Sequence, residues 1–230
     1  MFLINPYILQ ASGNPLWDGL QAYYTADNTP NDALGTYNGT LVNGATYGTG
    51  IINNGFSLDG VNDYVDFSTN WFRKSKTEPF TFSFWVNLQV DVTSTIFSNG
   101  VDYGHWAFLN TRYVTFQIGD DQSRYLRVRS TSQITLNTLT HVTVTYNGTP
   151  NVSGFSIYIN GASDTVVNVT NILTSDTPLT AIIPSIGRRP GGNAYYFNGI
   201  IDEVGIWNRV LTSSEVTELY NSGAGKQYPN

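Results

Sequence analysis

An all-β chain, two antiparallel sheets packed as a sandwich with one short helix near the C-terminus, is what the sequence predicts. Three observations carry that prediction. Apolar side chains recur at every second position in several separate stretches, which is the strand period. Two consecutive stretches end in Asn-Gly dipeptides, Asn147-Gly148 and Asn160-Gly161, the residues that tight hairpin turns favour. The composition is rich in Thr, Asn, Gly, Tyr and Phe and poor in Glu and Lys, which suits strands and turns better than helices. A chain of 230 residues is long enough to bury a two-sheet core as one domain.

Along the chain, residues 1–9 form an apolar arm carrying Phe2, Leu3, Ile4, Tyr7, Ile8 and Leu9. It has no basic start, is interrupted by Asn5 and Pro6, and is shorter than a signal-peptide core with its cleavage site, so it reads as part of the mature protein. Turn-forming residues 10–15 follow as a linker. The arm is either a docking element or an extra strand laid on its own sandwich. The expected division is an arm and linker over 1–15, one sandwich domain over 16–225 and a tail over 226–230.

Phe80, Phe82, Phe84, Val86 and Leu88 alternate with polar residues and with Trp85, which places Trp85 on the outer face, beneath a neighbouring loop or against a ligand. Arg127 and Arg129 share one strand face by the same alternation and read as a solvated surface, with a ligand site as the alternative. Val142, Val144 and Tyr146, then Phe155, Ile157 and Ile159, give two inward rows linked by the Asn-Gly turns. Near the end, Thr212 and Glu215 have capping-box spacing, Leu211 and Val216 have staple spacing, and Val216, Leu219 and Tyr220 form one helical stripe. Gly223 is the expected left-handed stop.

A formal charge of −6 argues against a nucleic-acid surface. No apolar run approaches the ~20 residues a membrane-spanning helix needs. With no cysteine the redox compartment stays open, and thiol catalysis is excluded. No Gly-x-Ser-x-Gly elbow occurs, and the glycine-rich 187–192 loop lacks the strand-to-helix setting of a phosphate cradle.

The ending, residues 197–225, has the form F-x-G-x-I-D-E-V-x-I-W-N-R-x-L-T-x-x-E-V-x-x-L-Y-N-x-G. Together with segments 19–24, 56–65, 80–86, 141–146, 158–161 and 186–188, it resembles laminin G-like domains of the concanavalin A-like lectin and glucanase superfamily. The resemblance implies a jelly roll with Greek-key connections. It also implies a structural calcium ion held by Asp202 of the I-D-E-V strand with Asp27, or with Asp32 in its place. The other reading of Asp202 is a turn cap that accepts backbone N–H groups.

Glucan-cleaving relatives carry paired carboxylates on one strand, as E-x-D-x-x-E. Here the glutamates are Glu78, Glu203, Glu215 and Glu218, and none forms such a motif. An Asp120-Asp121 pair reads as a turn, and His141 beside Arg127 and Arg129 is the position to inspect for lyase chemistry. Glycan binding is the implied activity, through aromatic stacking and hydroxyl hydrogen bonds. The expected contacts lie in or beside two loops: Tyr103, His105 and Trp106 at one, and Arg188, Arg189, Asn193, Tyr195 and Tyr196 at the other.

The opening residues also resemble the starts of some tailed-phage structural proteins. The expectation is thus a non-enzymatic module on a virion surface, fixed to virion proteins by its arm, binding cell-surface glycans and forming a homo-oligomer of unstated order. A purely decorative virion protein, or an extracellular glycan-active enzyme or its carbohydrate-binding module, are the alternatives.

Overall fold

Strand β6 (Phe80–Leu88) shows how the core forms, because its five alternate apolar side chains, Phe80 to Leu88, are all fully buried. Phe82 meets Phe97 at 5.0 Å and Phe116 at 5.5 Å between ring centroids, and both partners belong to the opposing sheet. The computed structural model describes residues 14–72, 74–100, 104–121, 124–173, 183–191 and 194–228. The N-terminal arm, Tyr103 and Asn193 lie outside them.

Among the described residues there are two sheets, each of eight strands and antiparallel throughout. The first contains β1 (Leu20–Tyr24), β3 (Thr46–Thr49), β4 (Asn54–Asp59), β6, β11 (Thr140–Tyr146), β12 (Phe155–Ile159), β13 (Ala162–Asp164) and β16 (Asn198–Trp207). Its order is β13-β12-β11-β6-β16-β4-β3, with β1 also paired to β16. The second contains β2 (Gly39–Val42), β5 (Tyr64–Phe67), β7 (Ser94–Ser98), β8 (Gly104–Asn110), β9 (Tyr113–Asp121), β10 (Arg124–Gln133), β14 (Val166–Asn171) and β15 (Ser185–Ile186), in the order β14-β10-β9-β8-β7-β15-β5-β2. The apolar rows of both sheets form one core between them.

A second apolar cluster covers the outer face of the first sheet. Leu16 and Trp17 of the 3-10 turn Pro15–Trp17 pack there with Tyr23, Trp207, Leu211, Val216 and Leu219. Helix α1 (Ser213–Tyr220) is part of this cover, and its capping box is formed as expected: Glu215 N donates to Thr212 Oγ1 at 3.3 Å and Thr212 N to Glu215 Oε2 at 2.7 Å. Trp85 is buried beneath Tyr220, stacked at 5.8 Å, so its outward position serves packing.

Three local expectations change. Asn221, at φ 48° and ψ 50°, ends α1 in place of Gly223, since asparagine tolerates the left-handed region. Asn160-Gly161 makes the expected tight turn, with φ 51° and 75°, but β11 and β12 are joined through 147–154, which includes the 3-10 turn Val152–Gly154. Residues 226–228, read as a tail beyond the domain, pack on it: Tyr228 lies 5.2 Å from the Trp17 ring and Lys226 pairs with Glu218 at 3.0 Å.

Candidate functional site

The phase of β8 decides which of its side chains are available. His105, Ala107 and Leu109 point into the sandwich, and Trp106, Phe108 and Asn110 point out from the second sheet. His105 is therefore not a surface group, contrary to expectation. It lies edge-on to Phe72 and Phe80 at 4.8 and 5.2 Å, beside Asn99, and burial pushes its pKa down to about 3, which keeps it neutral.

On the outer side, Trp106 donates its indole N–H to Thr95 Oγ1 at 3.0 Å and stacks on Phe108 with centroids 3.7 Å apart. Tyr195 approaches from the 189–196 loop, its ring 5.5 Å from that of Trp106. It holds a left-handed φ of 46°, and its carbonyl accepts from Thr95 N at 2.8 Å, which ties the loop to β7. Arg189 sits over both rings, 4.5 Å from Trp106 and 4.7 Å from Tyr195.

From β10, Arg127 extends across the same face, 5.9 Å from Trp106 and 5.6 Å from Phe108. Its Nε and Nη2 donate to Gln117 Oε1 at 3.0 and 2.6 Å. Burial lowers the Arg127 pKa, and the charge of Arg189 adds to that. Thr93 and Asn110 complete a cleft of about 180 Å³.

Trp106 is only 5% exposed, so it forms the floor of the cleft instead of offering an open stacking face. The accessible rim is Tyr195, the two guanidinium groups, Thr93 and Asn110. Of the expected contacts, Trp106, Arg189 and Tyr195 come together. Arg188 turns away, 3.6 Å over the Tyr64 ring and 3.5 Å from Asp66, and Tyr196 also faces Tyr64. Phe108, Thr93 and Asn110 were not anticipated, and Arg127 was placed on a strand face without being joined to this cleft; extending the period-2 phase of β8 would have put Phe108 beside Trp106.

His141 does not join Arg127 and Arg129. It lies on the first sheet, under Trp85 and Tyr220, with Nε2 2.8 Å from Ser83 Oγ, and burial pushes its pKa down to about 3. The two arginines are on the second sheet.

The carboxylates expected to hold calcium are engaged by N–H donors. Asp202 Oδ2 accepts from Ile51 N at 2.8 Å and Ile52 N at 3.4 Å, and its Oδ1 accepts from Glu203 N at 2.8 Å. Asp27 accepts from Asn54 N at 3.0 Å and from the side-chain amides of Asn53 and Gln227 at 3.1 and 2.7 Å. Asp32 caps a different turn, accepting from the backbone N–H groups of Tyr23, Leu34, Thr36 and Tyr37 at 2.9 to 3.2 Å. Among the described residues no three acidic or imidazole side chains converge as a metal site. N–H hydrogens aimed at the lone pairs do not fit a shell of about 6 to 8 oxygen donors, and the turn-cap reading of Asp202 describes this arrangement.

The I-D-E-V strand instead buries two acids at a β-bulge. The register shifts between Asp202 and Gly205, and Glu203 takes φ 47°. Glu203 accepts from the Tyr23 hydroxyl and from Gln227 Nε2. Burial raises the pKa of Asp202 to about 7, and burial together with the neighbouring Asp202 charge raises that of Glu203 to about 9.

No curated protein matches the chain in sequence. Among solved structures, domain 4 of AbnA, an extracellular arabinanase of Geobacillus stearothermophilus captured with arabinotriose, is similar with a TM-score of 0.66 and 22% identity over 86% of this chain and 97% of that one. The binding domain of Paraclostridial Mosquitocidal Protein 1 gives 0.67 and 18% over 90% of this chain. A botulinum neurotoxin type C structure, from work on ganglioside-dependent cell entry, gives 0.66 and 17%, also over 90%. The chain spans about half of these two toxin chains, 53% and 52%. At these identities the likeness is one of fold. The model of the laminin G type within the concanavalin A-like lectin/glucanases superfamily matches residues 59–217. With that match across most of the domain and two jelly-roll sheets in place, the chain belongs to the laminin G-like family of the concanavalin A-like lectin/glucanase superfamily.

Proposed function

We propose that this chain is a non-enzymatic glycan-binding module whose site is the cleft on the outer face of the second sheet. The observation that carries the reading is the floor of Trp106 and Phe108 beneath a rim of Tyr195, Arg127, Arg189, Thr93 and Asn110. A sugar ring needs an apolar surface beside directional hydrogen-bond donors and acceptors, and this cleft supplies both. Retaining glycoside hydrolysis needs two carboxyl groups about 5 Å apart, whereas the described lining residues contribute none. The arabinotriose complex and the ganglioside-dependent toxin agree with a binding role, as proteins of the same fold.

A glycan array probed with the purified chain tests this. Saturable binding that is weakened in Tyr195→Ala is the expected result; no binding to any sugar class overturns it.

The finer placement, on the exterior of a phage particle held by residues 1–9, is supported by the likeness of that segment to openings of tailed-phage structural proteins. Removing residues 2–9 is expected to abolish incorporation into particles while leaving the sandwich folded. Normal incorporation of the truncated chain would overturn the placement.

A further inference from the structure

We propose that the C-terminal strap, residues 226–228, supplies this chain's own substitute for a bound cation: the side-chain amide of Gln227 stands between Asp27 and Glu203, where a divalent ion would otherwise bridge them.

The calcium implied for Asp202 and Asp27 does not fit their N–H partners, and one of those partners arrives from far along the chain. Gln227 is 200 positions from Asp27. Its Nε2 donates to Asp27 Oδ2 at 2.7 Å and to Glu203 Oε1 at 3.1 Å, one hydrogen of the NH2 group for each carboxyl group. A calcium ion sits about 2.3 to 2.6 Å from its oxygen ligands, so it would need the gap that this nitrogen fills. Amide and ion are alternatives at that point. Asn53 adds a second amide, donating to Asp27 Oδ2 at 3.1 Å.

The strap is fastened on both sides of Gln227. The Lys226 carbonyl oxygen lies 2.9 Å from the Tyr23 hydroxyl, which also bonds Glu203, and Lys226 Nζ pairs with Glu218 at 3.0 Å. The Tyr228 ring packs 5.2 Å from that of Trp17 and 6.1 Å from that of Tyr23. Just before the strap, Gly225 holds φ 73° and lies against Ile51 and Ile52, the two residues whose N–H groups cap Asp202. These contacts set the position of the Gln227 amide and close the strap over Asp27, Asp202 and Glu203 together. A chain built in this way holds the three acidic loops at any calcium level.

Thermal unfolding of the full chain, of Gln227→Ala and of Gln227→Glu, each in millimolar calcium and in excess chelator, tests this, with circular dichroism to confirm that the sandwich forms in every variant. The full chain is expected to unfold at the same midpoint in both solutions. Gln227→Ala removes the bridge and is expected to lower the midpoint in chelator by several degrees. Gln227→Glu exchanges the donor for a further carboxyl group, so it is expected to lose stability in chelator and to regain several degrees in calcium, the response of a site that now takes the ion. A full chain that loses several degrees in chelator holds an ion there already, which overturns the proposal. So does a Gln227→Ala chain as stable as the parent, or a Gln227→Glu chain that calcium does not stabilise.

Discussion

Trp106 has its indole nitrogen satisfied by Thr95 and its ring covered by Phe108, Tyr195 and Arg189, so its work is to hold the others in place. Replacing it should affect binding and folding together. Trp106→Ala is expected to abolish glycan binding and to destabilise the fold by about 3 kcal/mol, read from denaturant unfolding. Tyr195 differs because it is partly exposed and sits on a loop. Tyr195→Ala should weaken binding about tenfold and shift the unfolding midpoint little; equal losses in both variants would contradict the assignment of floor and rim. Gly199 tests the backbone alone. It holds φ 137° in β16, and a Cβ there would run into the Asn87 carbonyl oxygen, so Gly199→Ala is expected to cost several kcal/mol by the same measurement. At this scale the sequence named three of the residues that come together in the cleft, Trp106, Arg189 and Tyr195. It misassigned His105 because it read residues 101–108 as a loop, when the strand already begins at Gly104 and turns alternate side chains inward.

The W-N-R-x-L-T-x-x-E run is legible as an element because each of its residues fastens the same junction. Trp207 Nε1 donates to Leu16 O at 2.9 Å, and Arg209 donates to Asp18 O, Pro15 O and both Glu215 oxygens. Thr81 bridges the strand to the helix entry, donating to Arg209 O at 2.7 Å and accepting from Leu211 N at 3.0 Å. Helix α1 is eight residues long and would not persist alone, so its cap matters through the lid it completes over Trp85. Thr212→Ala is expected to cost about 1 kcal/mol of global stability, and Thr212→Ser to recover most of it, by chemical denaturation. Capping, staple and stripe were readable because they follow from spacing within one segment. The length of the β11–β12 connection was not, because Asn147-Gly148 favours a turn without saying how far the partner strand lies beyond it.

For the whole molecule, four buried titratable groups set the dependence of stability on pH. Asp202 and Glu203 have folded pKa values raised to about 7 and about 9, so the folded state binds their protons more tightly than the unfolded state does. Their contribution is fully present below the ordinary carboxylate range and is lost as pH rises through those values. His105 and His141, lowered to about 3, act in the opposite direction: they must be neutral to stay buried, and stability falls as pH drops below the unfolded histidine value of about 6.5. Maximum thermal stability is therefore expected between about pH 4.5 and 6.5, with a fall on either side, and Glu203→Gln should flatten the alkaline limb. A maximum at pH 8 or above would contradict the buried acid pair. Because N–H donors already engage Asp27, Asp32 and Asp202, added calcium is expected to leave the unfolding midpoint unchanged; a rise of several degrees would show that those loops rearrange around the ion. The sequence by itself determined the sandwich and its capped helix, since alternation, turn residues and cap spacing are local and repeat along the chain, and the resemblance carried by residues 197–225 pointed to its family. Only the tertiary structure decided that Arg127 and Arg189, sixty-two positions apart, share one aromatic floor, and that His141 lies on the other sheet. Strand order and the pairing of distant faces come from burying two whole sheets against each other, and no short window of residues encodes that choice.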